Sequence, residues 1–354
     1  MLAVGSLAVP AAEAGAALPA CPTAPCAGEG GPVVVLSYWQ SRYYARLVDS
    51  VRLAGLPAST PVYYGNYWGS GRPSEPKRPG AKPPPRPPMP NGRHAPIFPV
   101  APSVFWKGRK IPARDRRALR ARGVAARAGR VPPLRKLRTG NLAYRWGREL
   151  GRRFRDRIRN KRRGGTRVTT WQFDEIVSEI GGRRLAFTRG VLEGLHRGRP
   201  ELGDKKLPGI VWATQKAMRT ARRGGAYRRF WRSVDRAALY VVGEEYPDFA
   251  GAPRAVARRE SSGQQALRGA SRALARKYVV GMTPGLRLDP GLGGNVRGRS
   301  AGAVASWRDG FVRERARLRP AGFAQFHFRF ENGRTKVMRA AVRALAKGAR
   351  LSRR

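Results

Sequence analysis

Acidic residues are scarce in this 354-residue chain, where 22 Asp plus Glu stand against 72 Lys plus Arg and leave a net charge of +50. That imbalance predicts attraction to polyanions such as nucleic acid, anionic cell-wall polymer or anionic lipid. The basic residues are spread along the chain and form no single stripe, which disfavours a dedicated nucleic-acid binder. Arginine far outnumbers lysine, and alanine, glycine and proline are plentiful, the bias that GC-rich coding also produces. With 2 cysteines and 3 histidines, and no clustering of the histidines, a structural zinc site is not expected. No apolar run after the N-terminus is long enough to span a membrane. There is no P-loop and no HExxH helix, and no cofactor is expected.

Residues 1–28 read as a segment apart. MLAVGSLAVPAAEAGAALPA is apolar and alanine-rich, with A-x-A at Ala12–Ala14 and Ala14–Ala16, the form of a signal-peptide end. It lacks a basic start, so a flexible tail is the other reading. LPAC at Leu18–Cys21 has the outline of a lipoprotein box, which Pro19 and Glu13 fit poorly. Cys21 and Cys26 are expected to close a small disulfide loop after export, and the expected location is secreted or at the cell envelope.

From residue 29 onward, strands alternate with helices. VVVLSYW (Val33–Trp39), PVYYGNYW (Pro61–Trp68), VTTWQFDEI (Val168–Ile176), GIVWAT (Gly209–Thr214), AALYVVGEEY (Ala237–Tyr246), KYVVGMT (Lys277–Thr283) and GFAQFHFRF (Gly322–Phe330) read as seven strands. An eighth is either absent or hidden near Ala95–Trp106. Helices are expected over 41–56, 114–128, 142–163, 183–197, 215–236, 253–276, 306–319 and 335–351. In the 142–163 segment, Leu142, Trp146, Leu150, Phe154 and Ile158 form one apolar stripe, with arginines covering the solvated remainder. The region from about 69 to 165 is an insertion that opens with a Pro-rich excursion, GAKPPPRPPMPNG. This rhythm predicts one (β/α)8, TIM-like barrel over 29–354, expected to be a monomer; an open doubly wound α/β sheet is the alternative.

Barrel enzymes use the carboxyl ends of their strands. Those ends offer Trp39, Asn66, Trp68, Asp174, Glu175, Thr214, Gln215, Glu244, Glu245, Thr283, Gln325, His327 and Arg329. Strand alternation is expected to set Thr170, Gln172 and Asp174 on the inward face, with Thr169, Trp171, Phe173 and Glu175 opposite. On the last strand the same alternation would turn Gln325, His327 and Arg329 inward. Aromatic rings stack on pyranose faces while amides and carboxylates bond hydroxyls, so a carbohydrate fits this set, with Trp39, Asn66, Trp68, Gln172, Trp212, Gln325, His327 and Arg329 as binding residues. Asp174 or Glu175 with Glu244 or Glu245 would supply the two carboxylates of a glycosidase. The structural role open to any one of these acids is a salt bridge to arginine.

The WQFDE and VVGEEY strand ends, the aromatic strand tips and the late GFAQFHF strand together resemble the glycoside-hydrolase-like (β/α) barrels over Val33–Arg354. The resemblance implies a barrel acting on a carbohydrate through strand-end acids. The chain carries neither the Asn-Glu pair on a fourth strand nor the DxxDxDxE pattern of chitinase-like barrels, so the likeness is one of architecture. The alternative is a non-catalytic protein whose charge holds an anionic envelope polymer or, less favoured, nucleic acid. GRSAG at Gly298–Gly302 follows a Gly-rich loop where a nucleophile elbow needs a strand. GLGGN at Gly291–Asn295 has no dinucleotide spacing.

Overall fold

Two tyrosines from distant strands reveal the shape of the sheet. In a computed structural model of the chain, Tyr63 and Tyr240 meet edge to face with ring centroids 5.6 Å apart, although three strands separate theirs in the hydrogen-bonded order. At about 4.8 Å per strand a flat sheet would hold them roughly 19 Å apart. The sheet is therefore curled, enough for side chains of strands four spacings apart to touch across its concave face.

The structure describes residues 33–38, 44–56, 60–66, 92–94, 139–159, 162–163, 166–167, 170–176, 181–245, 251–282, 301–328 and 335–352. The strands are β1 (Val33–Tyr38), β2 (Val62–Asn66), β3 (Gly92–His94), β4 (Trp171–Ile176), β5 (Gly209–Thr214), β6 (Ala238–Glu245), β7 (Tyr278–Met282) and β8 (Gly322–Phe328). Around them run α1 (Tyr44–Leu53), α2 (Gly140–Arg159), α3 (Gly182–Arg197), α4 (Gln215–Arg219), α5 (Gly225–Ala237), α6 (Pro253–Glu260), α7 (Ser262–Ala270), α8 (Arg272–Arg276), α9 (Ala301–Ala316) and α10 (Thr335–Leu351). A short antiparallel pair, Arg162–Arg163 with Thr166–Arg167, stands apart from the sheet.

The order in the eight-stranded sheet is β3-β2-β1-β8-β7-β6-β5-β4, and every pairing in it is parallel. Apart from β3 and β4 at its two edges, strands next to one another in sequence are paired in the sheet, and the first strand pairs with the last, Val35 beside Ala324. A doubly wound sheet would instead set the fourth strand beside the first, so that alternative is excluded. The result is a parallel half-barrel, with no ladder joining β3 to β4 among the described residues. The eighth strand is the three-residue β3, just before the region where the sequence left room for it. Two expected helices are broken: 215–236 at Gly224–Gly225, and 253–276 at Ser261 and Ser271.

Alternation sorts the core into two layers. Val33, Val35, Tyr63, Ile210, Trp212, Val242, Val279 and Ala324 pack on one another and, among the described residues, cluster with no helix side chain, so they fill the concave side. Val34, Leu36, Val62, Trp171, Phe173, Val211, Val241, Val280 and Phe323 join the helix residues in the other layer. Burying such strand side chains on both faces is what makes parallel strands near-continuously apolar.

The helices that flank β4 are held unusually close. Gly147 and Gly151 of α2 meet Gly190 and Gly194 of α3; a Cβ at Gly147 would lie 2.1 Å from the Phe187 carbonyl oxygen, and one at Gly194 2.1 Å from that of Arg148. Small residues four apart let two backbones touch, and Trp146 stacks on Phe187 beside them at 4.7 Å. The apolar stripe of α2 is as expected, with Trp146 and Ile158 buried. Its arginines are not all solvated. Arg152 and Arg155 are 8% and 6% exposed because they reach the carbonyls that end α3. Arg155 donates to Leu195 O at 3.0 Å, to His196 O at 2.8 Å and to Lys205 O, and Arg152 Nε donates to Gly198 O at 3.0 Å. Cations at a helix C-terminus also oppose its dipole.

Candidate functional site at the carboxyl ends of the strands

All eight strands end at the same side of the sheet, so their last residues are brought to one rim. On β4 the ladder sets Gln172 against Ile210, Phe173 against Val211, and Ile176 against Ala213. Positions 174 and 175 are therefore two residues opposite one, Trp212. This is a β-bulge, a feature concentrated at barrel rims and beside active sites, where it re-aims side chains. Strict alternation does not run through this point, since Phe173 and Ile176 both belong to the helix-facing layer and positions 174 and 175 together span the single ladder step between them.

The last strand repeats the device. Leu36 pairs with Gln325 and Tyr38 with Phe328, so Phe326 and His327 together oppose Ser37. The regular inward alternation expected for Gln325, His327 and Arg329 does not run through this irregularity. Ala324 lies in the concave layer, and Gln325 takes the next register position beside Leu36 of the helix-facing layer. On β6, Glu244 pairs with Thr214 and Gly281, and Glu245 with Met282. Met282 belongs to the helix-facing layer, whereas Glu244 stands two residues past Val242 of the concave layer.

Gln172 is the described side chain that most invites a ligand. It is 1% exposed, lies beside Ile210 of the concave layer, and its Nε2 has no hydrogen-bond partner. A buried amide left so costs about 1–3 kcal/mol. Trp212 differs from expectation. It is 0% exposed within the concave layer, a core ring and not a platform for stacking. Thr214 and Gln215 serve the frame: Thr214 Oγ1 accepts from Ala217 N at 3.2 Å and caps α4, while Gln215 accepts from Gly263 N at 2.7 Å and donates to Tyr278 OH at 3.1 Å. The side chains of Asn66, Asp174, Glu175, Glu244, Glu245, Gln325 and His327 lie outside the described residues, as do Trp39, Trp68, Thr283, Arg329, Cys21, Cys26 and the 114–128 segment.

Among the described residues, no group of three or more His, Cys, Asp or Glu could hold a metal ion, and no helix is long and apolar enough to cross a membrane. No protein-family profile matches the chain, and no curated protein is similar to it.

Proposed function

We propose that the chain is an exported, glycoside-hydrolase-like protein that acts on a carbohydrate at the carboxyl rim of a closed (β/α)8 barrel. The observation that carries the reading is the bulge on β4, which sets the Asp174–Glu175 doublet against Trp212 at the end of a curled parallel sheet. Glu244 stands two strands away at the level of Thr214, two residues further along than Trp212. Two strand spacings of about 4.8 Å and two residues of about 3.3 Å each put its backbone roughly 12 Å from the doublet. Carboxyl groups reaching toward one another across that span would suit the separations of about 5 to 9.5 Å used by retaining and inverting glycosidases. In this reading Asp174 and Glu244 are the acid pair, Glu175 and Glu245 their neighbours, and Trp39, Asn66, Trp68, Gln172, His327 and Arg329 hold the sugar.

A glycan-hydrolysis screen of wild type against Asp174→Asn and Glu244→Gln tests it. Each exchange keeps shape and removes an ionisable group, and each should lower the rate at least about a hundredfold. Cleavage that survives both exchanges would remove the pair from catalysis. The second reading, a non-catalytic binder of anionic envelope polymer, is favoured by the net charge of +50. It requires binding that weakens steeply with salt and is indifferent to both exchanges.

A further inference from the structure

Packing gathers arginines that the sequence spreads out. On α5, Arg228, Arg232 and Asp235 fall on one side, because residues three, four and seven apart share a helix face. Both arginines are exposed. Asp235 is already occupied: Lys277 Nζ lies 3.1 Å from one of its oxygens, and Ser271 Oγ donates to the other at 3.3 Å. Those contacts seat α5 against the start of α8, whose N-cap is Ser271. Arg272 opens α8 and Arg268 stands in the last turn of α7, both exposed.

The turn before α5 closes the seam between these helices. Trp231 Nε1 of α5 donates to Thr220 Oγ1 at 3.0 Å, which fixes the 220–222 turn, and exposed Arg222 lies across α7. Its Nη2 donates to Gln265 O at 3.3 Å, and its Nε stands 3.3 Å from the Cβ position of Gly269. Arg222, Arg228, Arg232, Arg268 and Arg272 thus belong to one continuous surface. Residues 215–237 and 262–277 together hold twelve Lys and Arg and one acid, Asp235, whereas the whole chain has 72 basic residues to 22 acidic. The excess of this face is therefore well above that of the chain.

Like charges on one surface repel, and a polyanion laid across them reverses the sign of that interaction. Guanidinium forks match phosphate oxygens. The large apolar side chains exposed among the described residues are Leu53 and Leu202, on α1 and in the turn after α3, so this face offers none to enter a bilayer or to stack on unpaired bases. Recognition of a phosphate backbone is what remains. Arg228 and Arg232 are one four-residue step of about 6 Å apart along α5. A duplex presents one charge per about 1.7 Å of its axis, so each guanidinium of a rigid row finds a phosphate within reach. We propose that this face binds the backbone of double-stranded nucleic acid without reading its sequence. The surface lies on the outside of the helices and does not depend on the acids of the strand rim or on any action upon sugars.

Fluorescence anisotropy of labelled duplex DNA titrated with the full chain over a range of salt tests it. R228Q/R232Q/R268Q/R272Q removes four exposed charges from this face, and R52Q/R145Q/R313Q/R343Q removes four from exposed positions on other helices; circular dichroism checks that both fold. Duplexes of unrelated sequence should bind alike. The first variant should lose at least about tenfold in affinity, and its plot of log affinity against log salt should be shallower by about 3 to 4, the share of four phosphate contacts. The second should lose less than about threefold, with a slope changed by less than about 1. No binding near physiological salt, equal losses in the two variants, or an unchanged slope in the first would each overturn the proposal. Tighter binding to poly(glycerol phosphate) or to vesicles containing phosphatidylserine would overturn the duplex as partner. The first variant should keep whatever glycan cleavage the wild type shows, so failure of this surface and failure of the glycosidase reading are told apart.

Discussion

Replacing Gly147 by alanine sets two effects of opposite sign against each other. In an isolated helix the change would favour α2 by about 1 kcal/mol, since glycine is the poorer helix former. Here the new Cβ would stand 2.1 Å from the Phe187 carbonyl oxygen, with the carbonyl carbon and Cα at 3.0 and 3.2 Å. Ordinary contact begins near 3.4 Å, so the helices must part by about 1.3 Å at that point, and all three obstacles are backbone atoms that cannot turn aside. A gap of 0.5–1 Å already forfeits a quarter to a half of a contact's attraction. The parting would loosen the Trp146–Phe187 stack and draw Arg152 and Arg155 from the carbonyls they cap. Overpacking of this kind costs about 1–3 kcal/mol and sometimes more, and each strained charged hydrogen bond adds to it. The net expectation is a loss of about 2–3 kcal/mol, read as a lower urea midpoint and a fall in Tm of roughly 3–4 °C. Gly224→Ala is the control: nothing lies within 4 Å of its Cβ position and its φ is −73°, so its effect should stay within about 0.5 kcal/mol. A Gly147→Ala protein as stable as wild type would refute the close approach.

Further outcomes follow from burial and from the curl. His196 is held below its ordinary pKa of 6.5, first by burial and then by Lys206, Arg155 and Arg197, against the opposing contact with Leu207 O. The folded chain therefore keeps the ring neutral while the unfolded chain protonates below about pH 6.5. This contribution is full above that pH and is lost as pH falls toward the lower folded value. Urea midpoints between pH 7 and 5.5 should fall by less than the one-proton limit of about 1.4 kcal/mol per pH unit, and His196→Gln should flatten that part of the curve; an unchanged slope would dismiss the residue. A double-mutant cycle on Tyr63 and Tyr240 should return a coupling of about 0.5–1.5 kcal/mol, whereas an uncurled sheet gives none. Arg155→Met removes the donor to three carbonyls and leaves buried Asp204 without its 3.7 Å partner. A loss of about 3 kcal/mol is expected by denaturation, and a loss under 1 kcal/mol would make that arginine ornamental.

The β4 segment divides what was legible in the sequence from what was not. Trp171, Gln172 and Phe173 alternate as their residue types require, and the two apolar rings lie on the helix side. A ladder that then sets two residues against one is a property of the pairing with β5. No pattern along a single strand encodes it, so simple alternation ran on through Asp174 and Glu175 where the ladder is irregular. The same holds for Phe326 and His327 against Ser37. The break of the expected 215–236 helix at Gly224–Gly225 was likewise not read from the sequence, where one helical pattern ran through the pair.

Sequence by itself determined the alternation of strand and helix, the apolar stripe of α2 and the concentration of acids at strand ends, because each depends on local period and side-chain chemistry. Tertiary structure alone decided the curl that brings Tyr63 to Tyr240, the two bulges, and the conversion of Arg152 and Arg155 from surface charges into buried caps of a neighbouring helix. Those features arise between segments far apart in the chain, where strand register and helix separation are fixed by the partner's shape: a carbonyl at 2.1 Å from an absent Cβ is written in two helices at once.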